Sequence, residues 1–292
     1  MSSHPPTLIT LATRALREEC AVSERDRILV AVSGGPDSMA LLDVLARLAK
    51  KFRFSLCAHG VDHGLRPEAP AELALAAAHA RTLGVPFATT RVSVAAGGNL
   101  QARARGARYE ALEAAARAGS ATLLATAHHA DDRAETVLLR LLRGAGPRGL
   151  AVLPARDGAR IRPFLRARKS DILAHLSRHA LPFAVDPSNA DPRHQRARVR
   201  ETLLPLLVEL SPGIVGHLNA LADALSTDEP PAELRDGAVR VALGRAQRLA
   251  VARASALGQK RARIWLSGGR EARLVAGERT ERGASARGHS KR

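Results

Sequence analysis

The run Ser33, Gly34, Gly35, Pro36, Asp37 and Ser38 concentrates chemistry in six positions. Two adjacent glycines let the backbone turn tightly and bring N–H groups toward a ligand, while the hydroxyls of Ser33 and Ser38 can donate to phosphate oxygens. A helix starting near Met39 would add its N-terminus, which favours anions. Such a loop suits a polyphosphate. It lacks the lysine and the spacing of a Walker loop, which excludes the P-loop NTPase reading. Asp37 suits a Mg2+ ion shared with the phosphates better than a direct phosphate contact. The competing reading is an ordinary strand-to-helix turn with Asp37 and Ser38 as caps.

Other candidates follow along the chain. Asp62, His63 and Arg66 lie just past a second strand and can contact a ligand, or form a polar turn closed by Gly64. Arg105 and Arg108 share a helical face with Leu112 nearby, and Arg103 enlarges the cluster; such a face can hold phosphates, steady a negative transition state, or simply be solvated. His129, Asp132 and Glu135 recur every third residue where a helix starts after a fourth strand, so they line one face that can bind Mg2+ or accept a proton. Acids in a first helical turn, here Asp131 and Asp132, also meet the dipole favourably without any further role. Gly144, Gly146 and Gly149 satisfy G-x-G-x-x-G, but they follow a helix rather than a strand and Pro147 intrudes, so the dinucleotide-binding context is missing.

The elements that must position these residues alternate. Leu8, Leu11, Ala12, Ala15 and Leu16 have helical spacing, predicting a helix over 7–19. Residues 28–33, 54–58, about 89–94 and 122–127 are short apolar or β-branched runs separated by helical stretches. That alternation predicts βαβ units, a mainly parallel sheet covered on both faces, and a ligand at the strands' carboxyl ends. A further helix fits 167–179, and 182–192 reads as loop. After Pro205 the rhythm ends: 214–225 and 232–256 read as helices, joined by linker chemistry at 227–231, and 264–266 with 273–275 as a hairpin. From 278 on the composition predicts disorder.

Composition bounds the rest. The 292 residues, 46% hydrophobic, are enough for about two domains with a sizeable core. Net charge is +17, made of +2 over 1–100, +10 over 101–200, −3 over 201–250 and +8 over 251–292. Two basic zones suit a long polyanion touched at separated points, as would a solvated Arg-rich face with a basic tail. Cys20 and Cys57 are the only cysteines, without metal-ligand or disulfide-framework spacing. No cationic segment precedes an apolar core at the N-terminus and no 18 apolar residues run together, so a soluble, cytoplasmic protein without a membrane role is expected.

The loop SGGPDS after a strand resembles the pyrophosphate loop of the ATP-pyrophosphatase (PP-loop) superfamily. GVDHGLR (60–66), ARGARY (104–109), ATAHHADDRAETVLLRLLRGAGPRGL (125–150) and DPSNADPRHQRARVR (186–200) then resemble, in order, segments of the bacterial tRNA(Ile)-lysidine synthase family. The resemblance covers about 25–207. It implies an α/β, Rossmann-like parallel sheet (the adenine nucleotide alpha hydrolase-like PP-loop fold) followed by a small, mainly helical C-terminal domain. The expected division is a catalytic domain over 1–207, a tRNA-contacting domain over 208–278 and a basic tail over 279–292.

The same resemblance implies an ATP- and Mg2+-dependent ligase joining free L-lysine to C2 of the wobble cytidine of tRNA(Ile) with a CAU anticodon, through an adenylated intermediate. A homodimer is compatible with it. It implies ATP binding by residues 33–38, a Mg2+ contact by Asp37, and catalytic roles for Asp37, Arg105 and Asp132. Asp62, His63, Arg66, Arg108, His129, Glu135, Arg143, Arg148, Asp186, Asn189, Arg196 and Arg200 become substrate or tRNA candidates. His59 stands one place before the family's usual histidine, which is Gly60 here, and Ala197 replaces the family's usual Asn. The alternatives are a tRNA thiolase of the same superfamily, for which the cysteines are unsuited, an amidotransferase, for which no glutaminase domain is present, and a non-catalytic nucleotide-binding protein.

Overall fold

The computed structural model describes residues 6–64, 66–93, 100–184 and 195–226, together with four strands between 233 and 275. Strands β1 (Arg27–Ala31), β2 (Ser55–Asp62), β3 (Phe87–Arg91), β4 (Leu123–Ala125), β5 (Arg156–Asp157) and β6 (Arg160–Ile161) form one sheet in the order β3-β2-β1-β4-β6-β5. Every neighbouring pair is parallel except β5 with β6, a tight antiparallel pair turned at Gly158, whose φ is +58°. The sequence reading anticipated the first four strands and not this last pair, whose signal is the Asp157-Gly158 dipeptide.

Central strands buried on both faces read as unbroken apolar runs, and β1 shows why. Ile28 and Val30 pack with Leu8 and Leu16 of α1 (Leu8–Glu18), Leu41 and Leu45 of α2 (Pro36–Phe52), and Ile172 and Leu176 of α7 (Lys169–Arg178). Leu29, between them, points to the opposite face and meets Leu124 and Leu112, the latter from α4 (Leu100–Ala118). Helix α3 (Ala69–Thr82) lies against β2 and β3. The first strand thus places the 33–38 loop at the carboxyl edge, between the ends of β2 and β4.

A second core joins α5 (Ala130–Leu141) and α6 (Pro147–Leu150) to a chain of helical segments: α8 (Gln195–Arg198), a π-helical turn (Val199–Leu203), α9 (Leu204–Leu210) and α10 (Ile214–Ser226). Val215, Leu218 and Ala222 are buried against α5. The Asn219 side-chain amide donates to the Ala130 carbonyl at 2.8 Å, and Arg133, fully buried, donates to Asp223 at 2.6 Å. These contacts bind α10 to α5, and the first compact unit runs to Ser226.

The second unit, 227–292, contains two antiparallel strand pairs: β7 (Glu233–Asp236) with β8 (Val239–Ala242), and β9 (Arg261–Trp265) with β10 (Glu271–Val275). The second pair is the expected hairpin. The first replaces the start of the helix expected over 232–256, because Val239 and Val241 alternate with Arg240, a period-two pattern with β-branched residues. Residues 243–260 lie outside the described residues. No single helix among the described residues is long and apolar enough to cross a membrane.

Candidate active site

The 33–38 loop owes its shape to two features. Gly34 has a φ of +82°, and a Cβ there would stand 2.5 Å from the Glu72 carbonyl oxygen, so only glycine lets α3 pack this closely. Ser38 fixes the rest: its hydroxyl donates to the Gly35 carbonyl at 3.0 Å and accepts from the Ser33 N–H at 3.1 Å. Ser38 is buried and serves the loop's own shape, whereas Pro36 and Asp37 open α2 at its N-terminus. Asp37 is partly exposed there and pairs with Lys169, the first residue of α7.

Behind this loop lies a cavity of about 310 Å3. Asp37, Asp131 and Glu135 supply acid groups to its wall, His129, Arg168, Lys169 and Arg200 supply basic ones, and Leu204, Pro205 and Val208 an apolar side. Glu135, with a side chain 2% exposed, accepts from Arg200 Nε at 2.6 Å and from Arg196 Nε at 2.8 Å. Asp132 accepts from Arg196 Nη2 at 3.0 Å and from the His129 backbone N–H at 3.2 Å. Asp131 accepts from Arg168 Nε at 3.0 Å and from the Lys169 backbone N–H at 2.8 Å, and so caps α7. His129 Nε2 lies 3.8 Å from Asp37 Oδ1.

The electrostatics divide two adjacent histidines. Burial pushes His128 down to about 3, reinforced by Arg162, Arg105 and Arg108 and only partly countered by Asp132. Burial also disfavours a charged His129, but Asp131, Asp132 and Asp37 outweigh it and raise its pKa. Desolvation opposes ionisation of Asp131 too, yet hydrogen bonds from His129, Arg168 and the Lys169 backbone hold it well below the usual carboxylate range. Asp132 is likewise lowered: burial works against it, and the His129, Arg196 and His128 charges prevail.

Opposite shifts predict opposite pH dependences. The unfolded chain protonates His128 near the ordinary 6.5 and the folded chain does so only near 3, so its contribution is present above 6.5 and lost as pH falls between those values. His129, raised in the fold, stabilises below its ordinary value, and that stabilisation is lost as pH rises through its folded pKa. Thermal melting from pH 7 to pH 5 is therefore expected to show a shallower decline in His128→Gln and a steeper one in His129→Gln. The first decline persists in part, since burial also depresses His59, His63 and His79. Parallel profiles for the two variants would contradict the assignment.

The remaining candidates separate. Asp62 Oδ1 accepts from the Gly64 N–H at 2.8 Å, and Arg66 grips Glu72 at 2.7 and 3.1 Å, so both hold their own turn. His59 is buried and hydrogen-bonds Thr90 at 2.9 Å. Arg105, Arg108 and His63 belong to a separate group on the α4 side. Arg143 and Arg148 are exposed around the glycine-rich turn, Arg143 contacting Gln195 at 3.3 Å. Asp186 and Asn189 lie outside the described residues. Ala197 is buried. The sequence reading missed Arg168, Lys169 and the apolar side of the cavity. Lysine and arginine at a helix N-terminus run against the dipole, and that local conflict was the available signal.

Comparison with known proteins agrees with this fold. The PP-loop domain family matches residues 9–207. The tRNA(Ile)-lysidine synthase of Novosphingobium aromaticivorans is 38% identical over 220 residues, covering 73% of this chain and 67% of that protein. The one from Thermobifida fusca is 40% identical, covering 78% and 71%, and the one from Pseudomonas aeruginosa is 40% identical, covering 77% and 52%. The chain thus spans about half the length of several curated relatives it matches. Among solved structures, the U34-tRNA thiolase NcsA from Methanococcus maripaludis superposes with a TM-score of 0.63 at 16% identity, covering 74% of this chain and 77% of that one, which shows the shared fold. With a PP-loop domain over most of its length and these relatives at 38–40% identity, the chain belongs to the tRNA(Ile)-lysidine synthase family of PP-loop proteins.

Proposed function

We propose that this protein joins the side-chain amine of L-lysine to C2 of the wobble cytidine in an isoleucine tRNA bearing a CAU anticodon. The C2 oxygen of the base attacks the α-phosphorus of ATP, forming a C2–O–P linkage and releasing pyrophosphate. The lysine amine then bonds to C2, the C2–O bond breaks, AMP leaves and the amine loses a proton. Activation is needed because the cytosine oxygen is itself a poor leaving group; the adenylate divides one difficult displacement into two feasible ones.

The observation that carries this reading is the cavity beside the loop. Its charged groups of both signs and the side formed by Leu204, Pro205 and Val208 suit an amino acid with an apolar stem between charged ends. Arg168 and Arg200 would face the carboxylate, and the acid groups an ammonium. Asp132, engaged by Arg196 and lowered in pKa, anchors positive charge better than it accepts a proton. His129, raised and within 3.8 Å of Asp37, is the better acceptor for the proton the amine releases. Asp37, a partly exposed carboxylate at the loop, fits a Mg2+ ion, exchanging Lys169 for the metal; bound there, Mg2+ would neutralise phosphate charge. The net charge of +8 over 251–292 suits RNA phosphates in the second unit.

The first step is tested by pyrophosphate release from ATP without lysine. Unmodified isoleucine tRNA (CAU) is expected to stimulate release and methionine tRNA to leave it unchanged. Equal stimulation by both would overturn the substrate assignment, and stimulation by neither would overturn the adenylation step.

A further inference from the structure

On the opposite side of the β4 end from the cavity, unpaired donors gather around one aromatic ring. The guanidinium carbons of Arg105, Arg108 and Arg160 lie 5.3, 5.4 and 5.2 Å from the centre of the Tyr109 ring. Arg162, 4% exposed at the end of β6, spends Nη1 on the Pro154 carbonyl, while its Nε has no hydrogen-bond partner among the described residues. Arg108 Nε, the Tyr109 hydroxyl and His63 Nδ1 are buried and unpartnered in the same sense. Of the four arginines only Arg160 has a carboxylate within 4 Å among the described residues, Glu113 at 3.7 Å.

Such an arrangement is costly by itself. A buried donor left without a partner loses its water and gains nothing, and neighbouring cations repel one another. Cation–π contact with Tyr109 offsets part of the cost and leaves the N–H groups unspent. Nor does a proton have to be shed: burial lowers the Arg162 pKa, but from an arginine's ordinary value far above neutrality. The group that satisfies unspent guanidinium, phenol and imidazole donors together is a multi-oxygen anion.

We propose that Arg108, Tyr109, Arg162 and His63 form a phosphate seat at the α4 side of the sheet's carboxyl edge, with Arg105 and Arg160 supplying further charge. His63 and Arg108 answer across the α4–β2 contact, where the Arg108 charge bears on His63. The seat lies on the side of β4 faced by His128, whereas His129 faces the acid-lined cavity; Asp132 acts on both histidines. A phosphate held here and an amine held in the cavity would therefore approach Asp132 from two sides. The phosphate can come from ATP or from an RNA backbone, since both present the same oxygens.

Tyr109→Phe tests this with least disturbance, because it removes only the unpartnered hydroxyl; Arg108→Gln is the second variant. Dissociation constants are measured for ATP with Mg2+ and, separately, for an unmodified anticodon stem-loop RNA carrying CAU, with melting temperatures recorded. Each variant is expected to melt as the parent does and to bind one probe about tenfold more weakly. Loss for ATP alone assigns the seat to a nucleotide phosphate, loss for the RNA alone to its backbone, and loss for both to a seat each occupies in turn. Affinities within twofold of the parent for both probes would overturn the proposal. The readout is binding, so weakened affinity in a protein that transfers no lysine would keep the seat and defeat the proposed reaction, and the converse result would do the reverse.

Discussion

Asp37→Ala is expected to lower lysine transfer about a thousandfold or more while leaving the protein folded. Asp37 stands at the N-terminus of α2, at the loop that would hold the phosphates, and it borders the cavity on the other side. Losing several kcal/mol of charge stabilisation on the reacting phosphates corresponds to that factor, at about 1.4 kcal/mol per tenfold. Stability is expected to change by less than about 1 kcal/mol, because the pair it forms with Lys169 is exposed by about a third on each side. Steady-state transfer with a parallel melt checks both halves. A loss below tenfold would place Asp37 outside the reacting centre, and a collapse of the fold would make it structural.

Glu135→Ala is expected to act the other way, through the fold first. Its carboxylate, nearly inaccessible, holds Arg196 and Arg200 from the π-helical turn and the residues before it. Removing one member of a buried ion pair costs about 3–5 kcal/mol. Here Arg196 and Arg200 are 39% and 38% exposed, so water recovers part of that, and about 2–3 kcal/mol is expected. Urea denaturation should show that loss and thermal melting a fall of about 4–12 °C. Transfer should weaken chiefly through KM for lysine, because Arg200 borders the cavity. Glu135→Gln, which keeps one acceptor oxygen, should fall between. Unchanged stability in both variants would contradict the role assigned to this pair.

How much of this was legible in the sequence depended on whether the signal was local. Ile28, Leu29 and Val30 announced a strand buried on both faces, and the glycines, Pro36 and Asp37 announced a loop turning into a helix; each signal lies within a few residues. The triplet spacing of His129, Asp132 and Glu135 marked the start of one helix, which holds Asp132 and Glu135 with His129 as its cap, but not what they meet. Arg196 and Arg200 reach that helix from more than sixty positions away, and Lys169 reaches Asp37 across 132. Spacing in the chain carries no record of such distances. The docking of α10 has the same origin, since its apolar face was visible and its partner, α5, was not. The cluster around Tyr109 was half legible: Arg105 and Arg108 share its helix, whereas Arg160 and Arg162 arrive from a strand pair that the sequence reading did not anticipate.

The central claim is that the loop and the cavity together serve transfer of lysine to an activated RNA base. The most direct measurement is incorporation of radiolabelled L-lysine into unmodified isoleucine tRNA (CAU), with ATP and Mg2+, beside methionine tRNA and beside Asp37→Ala. The account predicts label in the isoleucine tRNA alone, dependent on ATP and lost in the variant. Label in neither tRNA, or equal label in wild type and Asp37→Ala, would contradict it.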